Sequence, residues 1–197
     1  MRGILRLPEP SILKKKKCEW LNKLLLSGKK RPDSNKYAHS SIRKDLESMS
    51  FHKCFYCESK LKGVPKEVDH HIEVSVNIQL SYEWTNLYLC CHHCNNKIDH
   101  ATIPVNHALD PCVDDDVAIR KHLTFNGELI EPRNNSLRGL ETIRKYRLDS
   151  ELLDTKRLKQ LSEFYRLLCS IQKNQIREKR ECLNAKEKSA IESFQRI

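Results

Sequence analysis

Two Cys-x-x-Cys pairs, Cys54 with Cys57 and Cys91 with Cys94, constrain this chain more than any other feature of its sequence. A two-residue spacer lets a tight turn present both thiolates to one ion, and zinc takes four such ligands in a tetrahedron. Residues 58–90 lie between the pairs. Closing that loop on a metal supplies folding energy to a segment too small to bury much of a core of its own. One pair alone would be ambiguous, because redox motifs share the spacing. Two pairs predict a structural four-cysteine zinc site. Cys90 adjoins Cys91 and is an alternative ligand, but only Cys91 keeps the two-residue spacing to Cys94. His92 and His93 have ligand chemistry too; inside a knuckle they are expected to face solvent.

The remaining cysteines of the 197-residue chain, Cys18, Cys112, Cys169 and Cys182, are scattered and read as small buried apolar residues. A total of nine fits badly with complete disulfide pairing. The longest unbroken apolar run, Leu87 to Cys91, falls far short of the ~20 residues that span a bilayer. The opening MRGILRLPEP has no apolar targeting core. No membrane partner is expected, and the expected location is the cytoplasm, where thiols stay reduced. With 36 Lys and Arg against 26 Asp and Glu, the net charge of +10 favours a polyanionic partner such as nucleic acid. Charge alone does not decide this, since a Lys-rich helix is more often just a solvated face.

Three regions follow from patterning. Residues 1–50 read as an N-terminal helical flank: Leu21, Leu24 and Leu25 repeat at helical spacing, Gly28 and Pro32 punctuate, and Ile42, Leu46 and Met49 form a second apolar face. Lys14 to Lys17 suit either phosphate contact or a solvated helix start. Residues 51–105 hold almost all the metal-binding and acid–base side chains. There Phe55, Tyr56, Val68 and Ile72 predict short strands, and His92 to His100 a short helix. Residues 106–197 pass an acidic cluster (Asp114, Asp115, Asp116), a strand over His122–Phe125 and a turn at Asn126-Gly127, then become helical. Leu161, Phe164, Leu168 and Ile171 make a seam that either packs on a core or grips a partner helix. The tail beyond Gln172 is charged and expected to be helical. The fold class is therefore α+β and mostly helical.

The segment between the cysteine pairs carries chemistry. It contains Val68-Asp69-His70-His71-Ile72 and Trp84-Thr85-Asn86-Leu87, and Asn95 follows Cys94 directly. Hydrolysing a phosphodiester needs a base to activate water and a cation to take up developing charge. A histidine titrates near neutral pH and can act as that base. Asp69 and Asn95 offer hard oxygen ligands, which suit Mg²⁺ or Mn²⁺. Adjacent strand residues point to opposite faces, so His70 and His71 are alternatives; register with Asp69 favours His70. Asp99, four residues after Asn95, is either a third ligand or a surface carboxylate. Lys97 is either a phosphate contact or a solvated lysine.

The order Cys-x-x-Cys, Asp-His, Asn-Leu, Cys-x-x-Cys-Asn resembles the HNH endonucleases of the zinc-stapled ββα-metal type, over residues 51 to about 100. The resemblance implies a central ββα-metal core flanked by N- and C-terminal helices. It implies DNA hydrolysis with His70 as general base, Asp69 and Asn95 holding a catalytic divalent cation, and Asn86 orienting the histidine. Further out, Leu109-Asp110-Pro111, His122-Leu123-Thr124-Phe125 and Thr142 to Leu148 resemble the HNH subunit of Septu-type anti-phage defence systems. That implies an SMC-like, ABC-type ATPase partner, docked on the C-terminal region. The chain itself has no Gly-rich nucleotide-binding loop. It departs from the family in having Glu73-Val74-Ser75 where a Pro-Lys-Ser-like, often Gly-rich loop is usual, which leaves that loop's geometry open. The alternative is a non-catalytic zinc-ribbon or ATPase-docking module, which leaves Asp69, His70 and Asn95 unexplained.

Overall fold

The structure, a computed structural model, describes residues 1–195. It divides into two compact units, residues 1–124 with 130–149, and residues 125–129 with the chain from Ser150 onward. The N-terminal flank and the cysteine-bearing segment thus fold within the same unit.

In the first unit, helix α1 (Ser11–Leu26) buries Leu13 and Leu24. It closes at Ser27, and Gly28 takes the left-handed conformation (φ +65°) that ends helices at little steric cost. A single turn, α2 (Ser34–Tyr37), leads into α3 (Ser40–Met49). There Ile42, Leu46 and Met49 form the buried stripe that their i, i+4, i+7 spacing requires.

The cysteine-bearing core is a two-stranded antiparallel sheet followed by one helical turn. Strands β1 (Glu67–His70) and β2 (Leu87–Cys90) pair with Asp69 opposite Tyr88 and His70 opposite Leu87. Helix α4 (His92–Asn95) follows directly. The helix expected from His92 through His100 ends at Asn95 because the next residues are pulled elsewhere. The Lys97 side chain turns inward to the carbonyls of His70 and His71, and the Ile98 amide donates to the Lys145 carbonyl at 2.9 Å. Of the residues expected in strands, Val68 lies in β1, whereas Phe55, Tyr56 and Ile72 lie in turns and loops. Phe55 still donates its amide to the Leu89 carbonyl (2.9 Å), which ties the first knuckle to β2.

Beyond the core, the acidic cluster proves structural. Asp115 caps α5 (Asp116–His122) by accepting from the Ala118 amide, Asp116 accepts from the Gly3 amide, and Asp114 receives both Arg138 Nη atoms. Strands β3 (Leu123–Asn126) and β4 (Leu129–Pro132) make the second small sheet, turning through Gly127 at φ +62°. Helix α6 (Leu137–Tyr146) returns to the core. Its Tyr146 ring stacks on Tyr56 (4.1 Å between centroids), Tyr56 on Tyr88 (5.9 Å), and Tyr88 on His71 (4.5 Å). Lys145 is fully buried, and its ammonium donates to the Ile98 and Ile103 carbonyls and to Glu73. A buried ammonium is tolerable only with all its donors used in this way.

The second unit is helical, with α7 (Glu151–Arg177) and α8 (Ala185–Gln195). Of the sequence seam, Ile171 is buried and Leu161, Phe164 and Leu168 are half-buried. Arg157 donates to the Glu128 carbonyl and lies over the Phe125 ring. Contrary to expectation, Cys18, Cys169 and Cys182 are exposed and Cys112 is only half-buried. Cys18 and Cys169 sit on solvent-facing positions of α1 and α7. Among the described residues no helix is long and apolar enough to cross a membrane.

One close approach within the first unit makes a test. A Cβ at Gly139 would lie 2.1 Å from the His122 carbonyl oxygen, a backbone atom that cannot swing aside. Gly139→Ala is expected to lower stability by ~1–3 kcal/mol in chemical denaturation, the usual cost of overpacking.

Candidate active site

The Sγ atoms of Cys54, Cys57, Cys91 and Cys94 all lie within 4.8 Å of one another, and Cys57 to Cys91 is 3.7 Å. Zinc–sulfur bonds near 2.3 Å place tetrahedral sulfurs about 3.8 Å apart, so this donor set fits zinc. The first knuckle is a tight turn in which Cys54 donates its amide to the Ser59 carbonyl and Glu58 donates to the Cys54 carbonyl. Glu58 reaches that turn at φ +61°. The second knuckle is the entry to α4, with the Asn95 amide donating to the Cys91 carbonyl. Hydrogen bonds from neighbouring thiols, Cys54 first, push the Cys57 and Cys91 thiols below their ordinary value, whereas burial pushes Cys54 up and the neighbouring thiols, Cys54 first, push Cys94 up. Cys90 points away from the cluster, its Sγ 3.7 Å from the Glu67 carbonyl. His92 is exposed and bonds Glu67, whereas His93 bonds the Arg147 carbonyl.

Along β1 runs a cleft of about 830 Å³. Asp69, His70 and Asn95 line it together, with Glu73 beside them. His70 Nε2 lies 2.9 Å from the Ser81 carbonyl oxygen. A carbonyl only accepts, so Nε2 carries the proton and the lone pair of neutral His70 sits on Nδ1. The Tyr37 ring packs on the imidazole at 4.6 Å, tilted by 60°. Burial pushes the His70 pKa down, against the Ser81 carbonyl and Asp69, which favours the neutral, basic form. His71 points elsewhere: it is stacked on Tyr88, and burial together with the Lys97, Lys145 and Arg6 cations pushes its pKa down to about 3.

Asp69 is buried, and its Oδ2 accepts from Tyr56 Oη (2.7 Å) and Lys97 Nζ (2.6 Å). Burial pushes this carboxyl up, opposed by Lys97 and Tyr56, both of which favour the carboxylate. Lys97 is therefore neither a solvated lysine nor a free phosphate contact; its ammonium is buried against Asp69 and two carbonyls. Asn95 donates Nδ2 to Glu67 Oε2, whose other oxygen bonds His92. Glu73 Oε2 is buried without a hydrogen-bond partner among the described residues. Asp69, Glu73 and Asn95 all line the cleft, and their side chains carry hard oxygen atoms of the kind that Mg²⁺ or Mn²⁺ takes. Asp99 is not brought to the cleft. It is exposed beyond the end of α4, and its carboxylate accepts from the Thr102 amide (2.9 Å) and hydroxyl (3.3 Å).

Asn86 holds the loop that carries the histidines. Its Oδ1 accepts from the Ile72 amide (2.7 Å), its Nδ2 donates to the Ile72 and Leu80 carbonyls, and its own carbonyl accepts from the His71 amide. Arg6 in turn fixes the Asn86 loop by donating to the carbonyls of Trp84, Thr85 and Leu87. Tyr37, Tyr56, Glu67, Glu73 and Arg6 were not candidates from sequence. Each acts through a contact far along the chain, so no local motif marks it.

Residues 54–100 match the family model described as HNH endonuclease. This segment is an HNH endonuclease domain. The chain is also similar to Septu protein PtuB of Bacillus mycoides (strain KBAB4), with 27% identity over 155 residues, covering 62% of this chain and 52% of that protein. The chain thus spans about half the length of the curated relative it matches. The HNH domain supplies the cysteine cluster, Asp69, His70, Asn86 and Asn95, whereas Tyr37 and Arg6 lie outside the matched residues.

Two tests follow from this geometry. Cys91→Ser is expected to abolish tight zinc binding while Cys90→Ser retains about one zinc per chain, read by metal analysis of purified protein. Asn86→Ala strands the Ile72 amide and two carbonyls, each worth about 1–3 kcal/mol when buried and unmet. It should lower the melting temperature by several degrees without changing the zinc content.

Proposed function

We propose that this protein is a metal-dependent endonuclease that hydrolyses DNA phosphodiester bonds in the β1 cleft. The observation that carries the reading is His70, which faces the cleft with Nε2 tied to a carbonyl and Nδ1 left as the basic nitrogen, beside Asp69 and Asn95. His70 Nδ1 takes a proton from a water as that water's oxygen forms a bond to phosphorus. The bond to the 3′ oxygen breaks and that oxygen takes a proton from a solvent water, leaving 5′-phosphate and 3′-hydroxyl ends. Asp69 and Asn95, with Glu73 beside them, would hold a divalent cation that stabilises charge on the phosphate and the leaving oxygen. Lys97 and Tyr56 fix the Asp69 carboxylate, and Glu67 fixes the Asn95 carboxamide, so neither has to reorganise during the reaction. Zinc on the four cysteines holds the frame and stays out of the chemistry.

Likeness to a Septu protein supports a role in anti-phage defence, and the sequence's lack of a long apolar run is in keeping with a cytoplasmic location. With no Gly-rich nucleotide loop in the sequence, ATP chemistry would come from an SMC-like partner. Helix α7, which exposes Leu152, Leu158, Tyr165 and Ile176, is the docking surface we favour, in keeping with a C-terminal docking region over residues 106–197.

Plasmid cleavage by the purified, zinc-loaded protein tests the reading. With Mg²⁺ the wild type should nick or linearise plasmid. EDTA should stop it, and His70→Ala should slow it by ~10²–10⁴-fold, the usual contribution of a positioned general base. A zinc-loaded His70→Ala variant that cuts at the wild-type rate would sink the assignment.

A further inference from the structure

We infer that the segment between α1 and α2 forms a phosphate-binding wall of the active-site cleft, with Lys30 and Arg31 contacting the nucleic-acid backbone beside the scissile bond. This inference rests on the endonuclease reading of the cleft and adds substrate-binding residues outside the matched HNH segment.

Lys30, Arg31, Pro32 and Tyr37 line the same cleft as His70, Asp69 and Asn95. Tyr37, at the end of the α2 turn that follows the segment, packs its ring against the His70 imidazole, so the segment is tied to the histidine of the cleft and is not a remote basic loop. Its charges are also sorted. Asp33 pairs with Lys36 (2.9 Å) and Lys29 (3.4 Å), which consumes the one carboxylate of the loop. Lys30 and Arg31 are exposed and have no ion pair among the described residues. Gly28 in its left-handed conformation turns the chain out of α1, and the chain bends at Lys30 and Arg31 just before Pro32. Two unpaired cations held over a cleft with a histidine base match a phosphodiester backbone, which carries one negative charge per residue and is gripped by Lys and Arg without reading of sequence. Arg31 brings the planar donor fork suited to two phosphate oxygens, and Lys30 a point charge.

The test uses full-length, zinc-loaded protein and a duplex DNA oligonucleotide. Binding is measured by fluorescence anisotropy across a salt series, in a His70→Ala background so that the probe survives. Lys30→Gln/Arg31→Gln should weaken binding on the order of tenfold and reduce the slope of log K against log salt by about two, one per lost phosphate contact. Lys156→Gln/Lys159→Gln, which removes the same charge from the exposed face of α7, should leave both readings within error. In cleavage assays the Lys30/Arg31 double variant should raise KM by a similar factor, with kcat within about twofold, and Arg31→Lys alone should recover part of the loss. A double variant that matches the α7 control would overturn the inference. So would weaker binding with an unchanged salt slope, the mark of a damaged fold. Absence of cleavage by the wild type, with the binding difference intact, would refute the nuclease reading and leave the phosphate-binding wall standing.

Discussion

Four sulfur atoms within 4.8 Å of one another bind the turn at Cys54–Cys57 to the start of α4, and everything at the cleft is referred to that junction. The β1–β2 sheet is only four residues long on each side, and a two-stranded sheet of that size is marginal in water. The cysteine cluster closes the loop of residues 58–90 around it. Through the Phe55 amide on the Leu89 carbonyl, the cluster also sets the knuckle's height on β2. Asn95 follows Cys94, and its amide bonds the Cys91 carbonyl, so its place in the cleft is inherited from the cysteines.

Around this junction the core is polar, and its two buried ammonium groups and the Asn86 carboxamide are matched. Lys97 meets Asp69 and two carbonyls, Lys145 meets Glu73 and two carbonyls, and Asn86 closes on the backbone of Ile72. Removing one partner from such a pair strands a charge in low dielectric and costs several kcal/mol, far more than the pair itself contributes. These groups hold geometry more than they add stability. They fix the backbone at His70 to Ile72, where a shift of about 1 Å would misplace the base we propose at His70.

The first unit extends this precision outward. Tyr146 of α6 stacks on Tyr56, which bonds Asp69, while the N-terminal Arg6 clamps the loop that carries Asn86, and Tyr37 of α2 packs on His70. Helices on both sides in sequence therefore support a core that, taken alone, lacks a wall and part of its hydrophobic cover. Asp99 shows the converse. Its spacing from Asn95 has meaning only on a continuous helix, and the inward turn of Lys97 ends that helix first.

By itself the sequence determined the cysteine cluster, the helices α1 and α3 and the hairpin turn at Gly127. Each rests on short-range spacing: two residues between thiols, a 3.6-residue apolar stripe, or a glycine at positive φ. Only the tertiary structure decided between His70 and His71 as the side chain facing the cleft, moved Lys97 from solvent to a buried contact with Asp69, and brought Lys30, Arg31 and Tyr37 to the cleft. Those outcomes depend on which surfaces pack together across dozens of residues. A buried ammonium and a solvated one have the same local sequence, and they differ only in the carbonyls that the rest of the fold brings to meet them.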